Sequence, residues 1–236
     1  MRILYIFPHP DDESYGVAHL MAKQKREGHE VFLLTLTKGG ATKQRHKFNL
    51  SIDEMGEVRF KEMLEVQRVL GIDFMDVLDY PDSGLKFLDP RQLENTVKEY
   101  TRRLNPDVMV TYEANGISGF TDHLISHAVV KRAFVELTGE SNPPKRLALL
   151  TVSEETAKRS PMFRLYASSP GELGCIEEVT EADLKLAHAA LDCYKTFIET
   201  INNSKIKELL ELKIYFQLFG ESYSPPLSSL FDQLKK

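Results

Sequence analysis

The sequence predicts an α/β protein in which a mostly parallel central sheet is covered by helices on both faces. Short apolar runs rich in β-branched and aromatic residues alternate with longer amphipathic segments along the 236 residues. The apolar runs lack strict polar alternation, which is typical of strands buried on both faces. A chain of this length suits one such domain. We therefore expect a single domain over residues 1–236, with about 1–200 as its core and 201–236 as a C-terminal extension.

The predicted elements alternate in order along the chain. Strands are expected at residues 3–7, 31–37, 75–80, 108–112 and 147–152. Helices are expected at residues 14–27, 56–70, 90–104, 122–137 and 181–200. Gly28 stands where a left-handed helix C-cap is common, and Asp89-Pro90 is typical of an N-cap followed by proline. Residues 39–56 have no clear period, which leaves a rim over a site and a solvated surface loop as alternatives.

Composition and charge exclude several classes of partner. The net charge is −5, and Lys and Arg are spread along the chain, whereas nucleic-acid binding needs clustered positive charge. No apolar run approaches the roughly 20 residues of a membrane span, and the N-terminal run meets Pro8 too soon for a signal peptide. Cys175 and Cys193 match no metal-binding spacing and are typical of reduced packing residues. We expect a cytoplasmic protein without a nucleic-acid partner or a membrane span.

A proline-rich acidic segment, PHPDDE at residues 8–13, follows the first predicted strand. Parallel sheets bind ligands at the carboxyl ends of their strands, and the two prolines stiffen this turn. Adjacent carboxylates beside an imidazole are unfavourable unless a positive charge lies between them. A divalent metal bound by His9 and Asp12 would supply that charge and leave the other carboxylate free as a general base. The alternative is an acidic helix N-cap with a hydrogen-bonded histidine.

A further candidate ligand follows the fourth predicted strand. His123 lies near a helix start at the same edge of the sheet and would complete a His, Asp, His set. Three protein ligands and one open position are typical of catalytic zinc. Asp122 is a candidate for orienting a metal ligand or a bound group through a hydrogen bond, without binding the metal itself. His127 lies four residues further on and is either a second ligand on the same helical face or, as we favour, a supporting or packing residue.

These two segments together resemble the LmbE/PIG-L family of zinc-dependent N-deacetylases. The family carries a PHPDD(E)-type motif after its first strand and an HPDH-type motif after a later one. Residues 56–62 are similar to the family's GE..R..E helix, residues 80–85 to its loop after the third strand, and residues 106–111 to its fourth strand. The resemblance therefore spans most of the chain, and the paired motifs are its specific part.

The resemblance implies a Rossmann-like three-layer sandwich with zinc bound by His9, Asp12 and His123. It also implies that Asp11 is the general base when a zinc-activated water attacks the amide. Arg59 and Asp82 would correspond to positions near the substrate. Two alternatives stay open: an exposed ion pair between Arg59 and the neighbouring Glu62, and a turn-forming role for Asp82, which aspartate often has.

The chain departs from the family pattern at two places. Phe120 and Thr121 stand where the HPDH motif begins, and the family histidine there is a candidate for stabilising the oxyanion or protonating the amine. Residues 194–197 stand where relatives commonly have a His-x-(Ser/Thr)-Gln segment. Phe120 supports a non-catalytic metal- or sugar-binding descendant as the alternative. Asp11 favours an enzyme, because a pure binding site has little use for a carboxylate that is not a ligand.

The hypothesis from the sequence is a metal-dependent hydrolase that removes an N-acetyl or other acyl group from a small-molecule amino-sugar conjugate. A nucleotide-binding protein is disfavoured because no G-x-G-x-x-G or Walker pattern follows a strand, and a metalloprotease because H-E-x-x-H is missing. Zinc is the expected cofactor, although nitrogen and oxygen ligands also accept iron, cobalt or nickel. The resemblance implies that homo-oligomers are common, but the sequence identifies no interface.

Overall fold

The computed structural model describes residues 1–234 of the chain. Within that range, seven strands form one sheet in the order β3-β2-β1-β4-β5-β7-β6. The strands are β1 Arg2–Phe7, β2 Glu30–Thr37, β3 Phe74–Tyr80, β4 Val108–Tyr112, β5 Arg146–Thr151, β6 Cys175–Glu178 and β7 Lys213–Leu218. Strands β1 to β5 pair in parallel, whereas β7 runs antiparallel to both β5 and β6. The predicted mostly parallel α/β sheet is confirmed.

Helices cover both faces of this sheet. They are α1 Asp12–Gly16, α2 Ala18–Arg26, α3 Ile52–Leu70, α4 Pro90–Leu104, α5 Thr121–Leu137, α6 Glu154–Arg159, α7 Glu181–Cys193, α8 Ile198–Ser204 and α9 Ile206–Leu209. Helices α2 and α3 pack against α7, and α4 packs against α5. The chain therefore forms three layers, as the sequence predicts.

Strand β1 shows why two cores form. Tyr5 and Phe7 belong to the apolar cluster on one face of the sheet, and Leu4 and Ile6 to the cluster on the other. All four side chains are completely buried. Successive residues of a strand point to opposite faces, so a strand between two helical layers must be apolar at every position. No helix among residues 1–234 is long and apolar enough to cross a bilayer.

Several element boundaries differ from those predicted. The helix expected at 14–27 is two helices, because the chain breaks at Val17 with φ −137°. The helix expected at 181–200 ends at Cys193 and is followed by a 3₁₀ turn and α8. Helix α3 begins within the segment expected to be irregular, at Ile52, because Ser51 and Glu54 form a capping box.

Strands β6 and β7 were not predicted. Strand β7 lies in the segment 201–236 that was expected to extend the core, and it pairs with β5 over residues 215–218. Its burial alternates, with Ile214, Phe216 and Leu218 buried between half-exposed neighbours. Such alternation is typical of antiparallel strands with one solvated face.

Candidate metal centre

The candidate site lies at the carboxyl ends of three parallel strands. His9 and Asp12 follow β1, Asp82 follows β3, and Asp122 and His123 lie in the first turn of α5, after β4. In the strand order, β2 and β3 lie on one side of β1, and β4 and β5 lie on the other side of it. Open parallel sheets bind ligands at such a reversal of strand order. We call these five residues the charged centre.

The three residues predicted to bind a metal lie together. Oxygen atoms of Asp12 lie 3.5 Å from His9 Nδ1 and 3.3 Å from His123 Nε2. One ligand atom from each of the three residues falls within 4.8 Å of the others. Two imidazole nitrogens and one carboxylate oxygen suit a divalent transition metal with further positions open to solvent or substrate. The donor chemistry therefore fits the metal that the sequence predicts.

His123 is held in a single orientation. Its Nδ1 lies 2.9 Å from the carbonyl oxygen of Gly116, and its ring stacks on Tyr112 with centroids 4.3 Å apart. A carbonyl only accepts, so Nδ1 carries a proton, and Nε2 is the ring nitrogen that faces Asp12 and would coordinate a metal. Gly116 has φ 62°, and a Cβ atom there would lie 2.6 Å from the Cβ of His123. The close approach that orients this ring therefore requires glycine.

Asp82 and Asp122 form a second group around His9. Each places an oxygen 3.3 Å from His9 Nε2, and the three residues again offer ligand atoms within 4.8 Å of one another. Asp82 also accepts from the backbone N–H of Ala41 at 2.7 Å, and Asp122 from that of Ser83 at 2.8 Å. The second oxygen of Asp122 is buried and has no hydrogen-bond partner among the described residues. Such an orphaned carboxylate oxygen is a further sign that this pocket suits a cation.

The electrostatics of the charged centre also fit a cation. Burial acts to lower the pKa of His9, but hydrogen bonds to Asp12, Asp122 and Asp82 raise it well above its ordinary value. Burial acts to raise the pKa of Asp12, yet the contacts with His123 and His9 hold it far below its ordinary value. The carboxylates thus draw positive charge onto the imidazole of His9. A divalent ion supplies that charge with both imidazoles neutral, which is the form that coordinates metals.

Asp11 lies beside this group without belonging to it. Its backbone is left-handed, with φ 84°, and it is the N-cap residue of α1. Arg59 donates a hydrogen bond of 2.5 Å to Asp11 Oδ2. Burial raises the pKa of Asp11 to about 6, against the lowering effect of Arg59. Asp11 thus combines a raised pKa with a place on the wall of the cavity that His9, Asp12 and His123 also line.

Arg59 is buried rather than exposed. Its guanidinium donates to the carbonyl oxygens of Gly39 and Pro10 as well as to Asp11, and it lies 4.7 Å from the ring centre of Phe197. The exposed ion pair with Glu62 considered above is wrong. Glu62 instead accepts from the backbone and hydroxyl of Thr196. Arg59 lines the cavity, but its guanidinium already donates hydrogen bonds to other residues of the chain. Its contact with the site is the hydrogen bond to Asp11.

His127 and Phe120 flank His123 on the chain. His127 is buried, with Nδ1 2.9 Å from the carbonyl oxygen of Tyr112, and it belongs to neither ligand group found among residues 1–234. This placement accords with a supporting or packing role. Phe120 is half exposed, and its ring meets that of His123 edge to face at 5.5 Å. The position of the family histidine is therefore apolar but directly beside the centre.

Tyr194 is a site residue that the sequence did not suggest. Its hydroxyl accepts from the backbone N–H of Asp11 at 2.9 Å and donates to Glu13 Oε1 at 2.7 Å. Burial raises the pKa of Glu13 to about 7. Tyr194 thus ties the strained Asp11 turn to a buried acid. Because more than 180 residues separate the partners, no local pattern could have revealed the contact.

A cavity of about 420 Å³ opens over the charged centre and continues into the protein. Its outer part is lined by Asp11, Ala41, Lys43, Ser83 and Ser118, besides His9, Asp12, Asp82 and His123 of the charged centre. Its inner part is lined by apolar side chains from β5, β7, α9 and the loop after α6, and we call it the inner arm. The inner arm is defined by Leu150, Phe163, Leu165, Ile206, Leu209 and Ile214.

Comparison with known proteins gives a family match. The model of the family described as PIG-L, GlcNAc-PI de-N-acetylase, matches residues 4–134, which is more than half of the chain. A 1D-myo-inositol 2-acetamido-2-deoxy-α-D-glucopyranoside deacetylase of Kineococcus radiotolerans is 32% identical over 168 residues. That alignment covers 60% of this chain and 46% of the relative. The chain thus spans less than half the length of this curated relative.

Two further matches extend over more of the chain. The N-acetylglucosaminyl-phosphatidylinositol de-N-acetylase of Bos taurus is 26% identical over 204 residues, covering 83% of this chain and 74% of the relative. Among solved structures, a triple mutant of a deacetylase in the teicoplanin biosynthetic pathway superposes with a TM-score of 0.72. It is 16% identical, and the match covers 92% of this chain and 98% of that one. At that identity the structural match shows a shared fold.

Proposed function

The chain belongs to the PIG-L family, and on this premise we propose that it is a zinc-dependent hydrolase of N-acylated amino-sugar conjugates. The observation that supports this most strongly is the charged centre with Asp11 beside it. His9, Asp12 and His123 offer a metal three ligand atoms within 4.8 Å of one another. Asp11 belongs to neither ligand group found within residues 1–234 and is held by Arg59 instead.

In the proposed reaction, water adds to the amide carbonyl and the C–N bond breaks, giving a carboxylic acid and a free amine, which become a carboxylate and an ammonium group by proton transfer. A bound zinc ion would supply Lewis-acid activation of the amide and of the attacking water. Asp11 accepts the proton that the water loses and then donates it to the leaving amine. Arg59 fixes one oxygen of Asp11, which leaves the other for proton transfer. Acid–base catalysis of this kind typically contributes about 10²–10⁴-fold in rate.

Zinc and the cellular location belong to the same proposal. Zinc is favoured by a ligand set of two histidines and one aspartate, while iron, cobalt or nickel would accept the same atoms. We place the protein in the cytoplasm because Cys175 and Cys193, both within the described residues, are free thiols. We treat residues 1–236 as one deacetylase domain.

The test compares wild-type protein with Asp11→Asn after zinc loading. Both proteins are analysed for bound metal and incubated with N-acetylglucosamine conjugates, and free amine is measured. We expect Asp11→Asn to keep its zinc and to lose about 10²–10⁴-fold in rate, because the base is gone and the ligands remain. Asp79→Asn is the matched control, since the side chain of Asp79 is 85% exposed and lies away from the cavity lining. Normal turnover by Asp11→Asn would remove Asp11 from the mechanism.

A non-catalytic metal- or sugar-binding protein is the second candidate, and Phe120 is the observation in its favour. An apolar ring stands where relatives place a histidine that can stabilise the oxyanion or protonate the amine. Zinc and sugar binding without release of amine from any conjugate would support this candidate. Release of amine that depends on Asp11 would eliminate it.

A further inference from the structure

The wall of the inner arm carries more apolar surface than the removal of an acetyl group requires. Leu150, Leu209 and Ile214 on its wall are at least 94% buried. The arm lies between the helices that follow β1 and the C-terminal elements α9 and β7, and Gly16 and His19 also line it. An acetyl group ends in a single methyl group, so most of this apolar wall would stay without a partner.

The polar side chains on the wall of the arm, which include the charged Glu211 and Lys213, already have partners within the protein. Thr151 is hydrogen-bonded to Ser168 at 2.7 Å, Thr156 donates to Glu211 at 2.7 Å, and Ser204 donates to the carbonyl oxygen of Ile201 at 3.0 Å. The hydroxyl groups of a sugar would lose their water here and find few free partners. An uncompensated buried hydroxyl is unfavourable. The sugar therefore belongs in the outer part of the cavity.

His19 is the one exception found among the polar wall residues. Its Nδ1 atom has no hydrogen-bond partner within the described part of the chain. The side chain is almost completely buried, and burial lowers the pKa of His19 to about 4. The ring is therefore neutral at pH 7, and it adds no charge to the arm. A neutral imidazole edge is compatible with an apolar occupant.

Phe120 connects the charged centre to the inner arm. Its ring packs edge to face on the metal-side His123 at 5.5 Å and on Phe163, in the arm, at 6.0 Å. An amide has two substituents, the acyl group on carbon and the sugar on nitrogen. With the carbonyl at the metal group, one substituent enters the arm, and the apolar junction at Phe120 selects the acyl group. The apolar residue that departs from the family motif thus has a structural use.

We propose that the inner arm binds the acyl group of the substrate, and that the preferred substrate carries a linear acyl chain of several carbons rather than acetyl. The reaction itself rests on the function proposed above, whereas the binding of the chain does not. The wall residues make this arm a specificity element. Helix α9 and strand β7 line it and limit the length that it accepts.

The first experiment measures kcat/KM of the zinc-loaded protein on a series of N-acylglucosamines from acetyl to decanoyl. Burial of each methylene is worth about 0.8 kcal/mol, so we expect kcat/KM to rise about fourfold per added carbon until the arm is full. A maximum with the acetyl substrate, and a decline from there with chain length, would overturn the proposal.

A bulky side chain in the arm should abolish this preference. We expect Leu210→Trp to lower the ratio of octanoyl to acetyl kcat/KM at least about tenfold, because Leu210, next to Leu209 of the arm, also lines the cavity and an indole would occupy the space of the chain. Leu212→Trp is the matched control, since Leu212 lies two residues away, is 37% exposed and does not line the cavity. Ile206→Trp replaces Leu210→Trp if circular dichroism shows that the latter does not fold.

A direct measurement of carboxylate binding tests the acyl site even if the protein hydrolyses no conjugate. Octanoate and acetate, the products of the two substrates, are titrated calorimetrically into wild-type protein without turnover. If no conjugate is hydrolysed but octanoate binds at least tenfold more tightly than acetate, only the proposed reaction fails. Equal binding of the two carboxylates, together with no chain-length preference, would overturn the inner arm as an acyl site.

Discussion

The charged centre and the inner arm share one cavity but come from different halves of the sheet. The charged centre is built at the ends of the parallel strands β1, β3 and β4, whereas the inner arm is closed by the antiparallel strand β7 and by α9. In the centre, the carboxylate oxygens of three aspartates lie 3.3 to 3.5 Å from the imidazole nitrogens of two histidines. In the arm, the polar groups other than His19 Nδ1 are paired, and the remaining surface is apolar. The parallel half thus holds the chemistry, and the antiparallel edge shapes the space beside it.

Removal of a metal ligand should affect the charged centre alone, and it has the largest expected effect. We expect His123→Ala to lose bound zinc and at least about 10³-fold in hydrolysis, since Lewis-acid activation contributes several kcal/mol. Octanoate binding in the arm should persist. Metal analysis, amine release and calorimetry measure the three quantities, with the exposed His46→Ala as control. Loss of octanoate binding in His123→Ala would mean that the two regions are not independent.

The arm has its own pH dependence, through His19. The pKa of His19 is lowered to about 4 by burial, against about 6.5 in an unfolded chain. The unfolded state therefore binds the proton more readily, and stability is present above pH 6.5 and is lost as the pH falls toward 4. The difference corresponds to about 3 kcal/mol in the free energy of unfolding.

Urea unfolding of wild-type protein and His19→Gln at pH 7, 6 and 5 measures this effect. The comparison of slopes matters, because Asp11 and Glu13 also titrate in this range in both proteins. We expect the wild-type stability to fall more steeply with acid than that of the variant. If the free energy of unfolding fell equally with pH in both proteins, protonation of His19 would not destabilise the folded protein.

Tyr194 tests the boundary between the two regions and has the smallest expected effect of the three. It comes from the C-terminal third of the chain, yet its hydroxyl contacts Asp11 and Glu13. We expect Tyr194→Phe to lower kcat about 10- to 100-fold with KM and zinc content unchanged, because a buried N–H and a carboxyl lose their partner at about 1–3 kcal/mol.

Tyr100→Phe is the control for Tyr194→Phe, since the hydroxyl of Tyr100 also donates to a carboxylate, that of Asp76. A fall in thermal stability without a change in kcat would give Tyr194 a purely structural role. A rise in KM alone would place its effect on substrate binding rather than on the orientation of Asp11.

The difference between the charged centre and the inner arm also explains which parts of the molecule can be predicted from the sequence. The five parallel strands are predicted because apolar residues dominate each of them without strict polar alternation, and His9, Asp12 and His123 because short motifs follow β1 and β4. The inner arm has no such motif. In the sequence, Ile206, Leu209 and Ile214 have the pattern of ordinary core residues, and they line the cavity only because α9 and β7 fold against the parallel half of the sheet.

Two further elements, β7 and the start of α3, do have local signals in the sequence. The alternation over Lys213–Leu218 is that of an antiparallel strand, and Ser51 with Glu54 is a capping box at the start of α3. The contacts of Tyr194 and Arg59 with the Asp11 turn had no local signal. They join distant parts of the chain, and their cause is the packing of α3 and α7 against each other beside β1.

The left-handed backbone of Asp11 decides how this position can be studied. At φ 84° a side chain with a Cβ atom is strained, and aspartate and asparagine tolerate the conformation better than most residues. Alanine at position 11 would therefore combine the loss of a carboxylate with a backbone penalty of about 1–2 kcal/mol. Alanine scanning would exaggerate the importance of the side chain, and so would any mutational library that ranks positions by tolerance. Asparagine changes the chemistry and leaves the conformation in place.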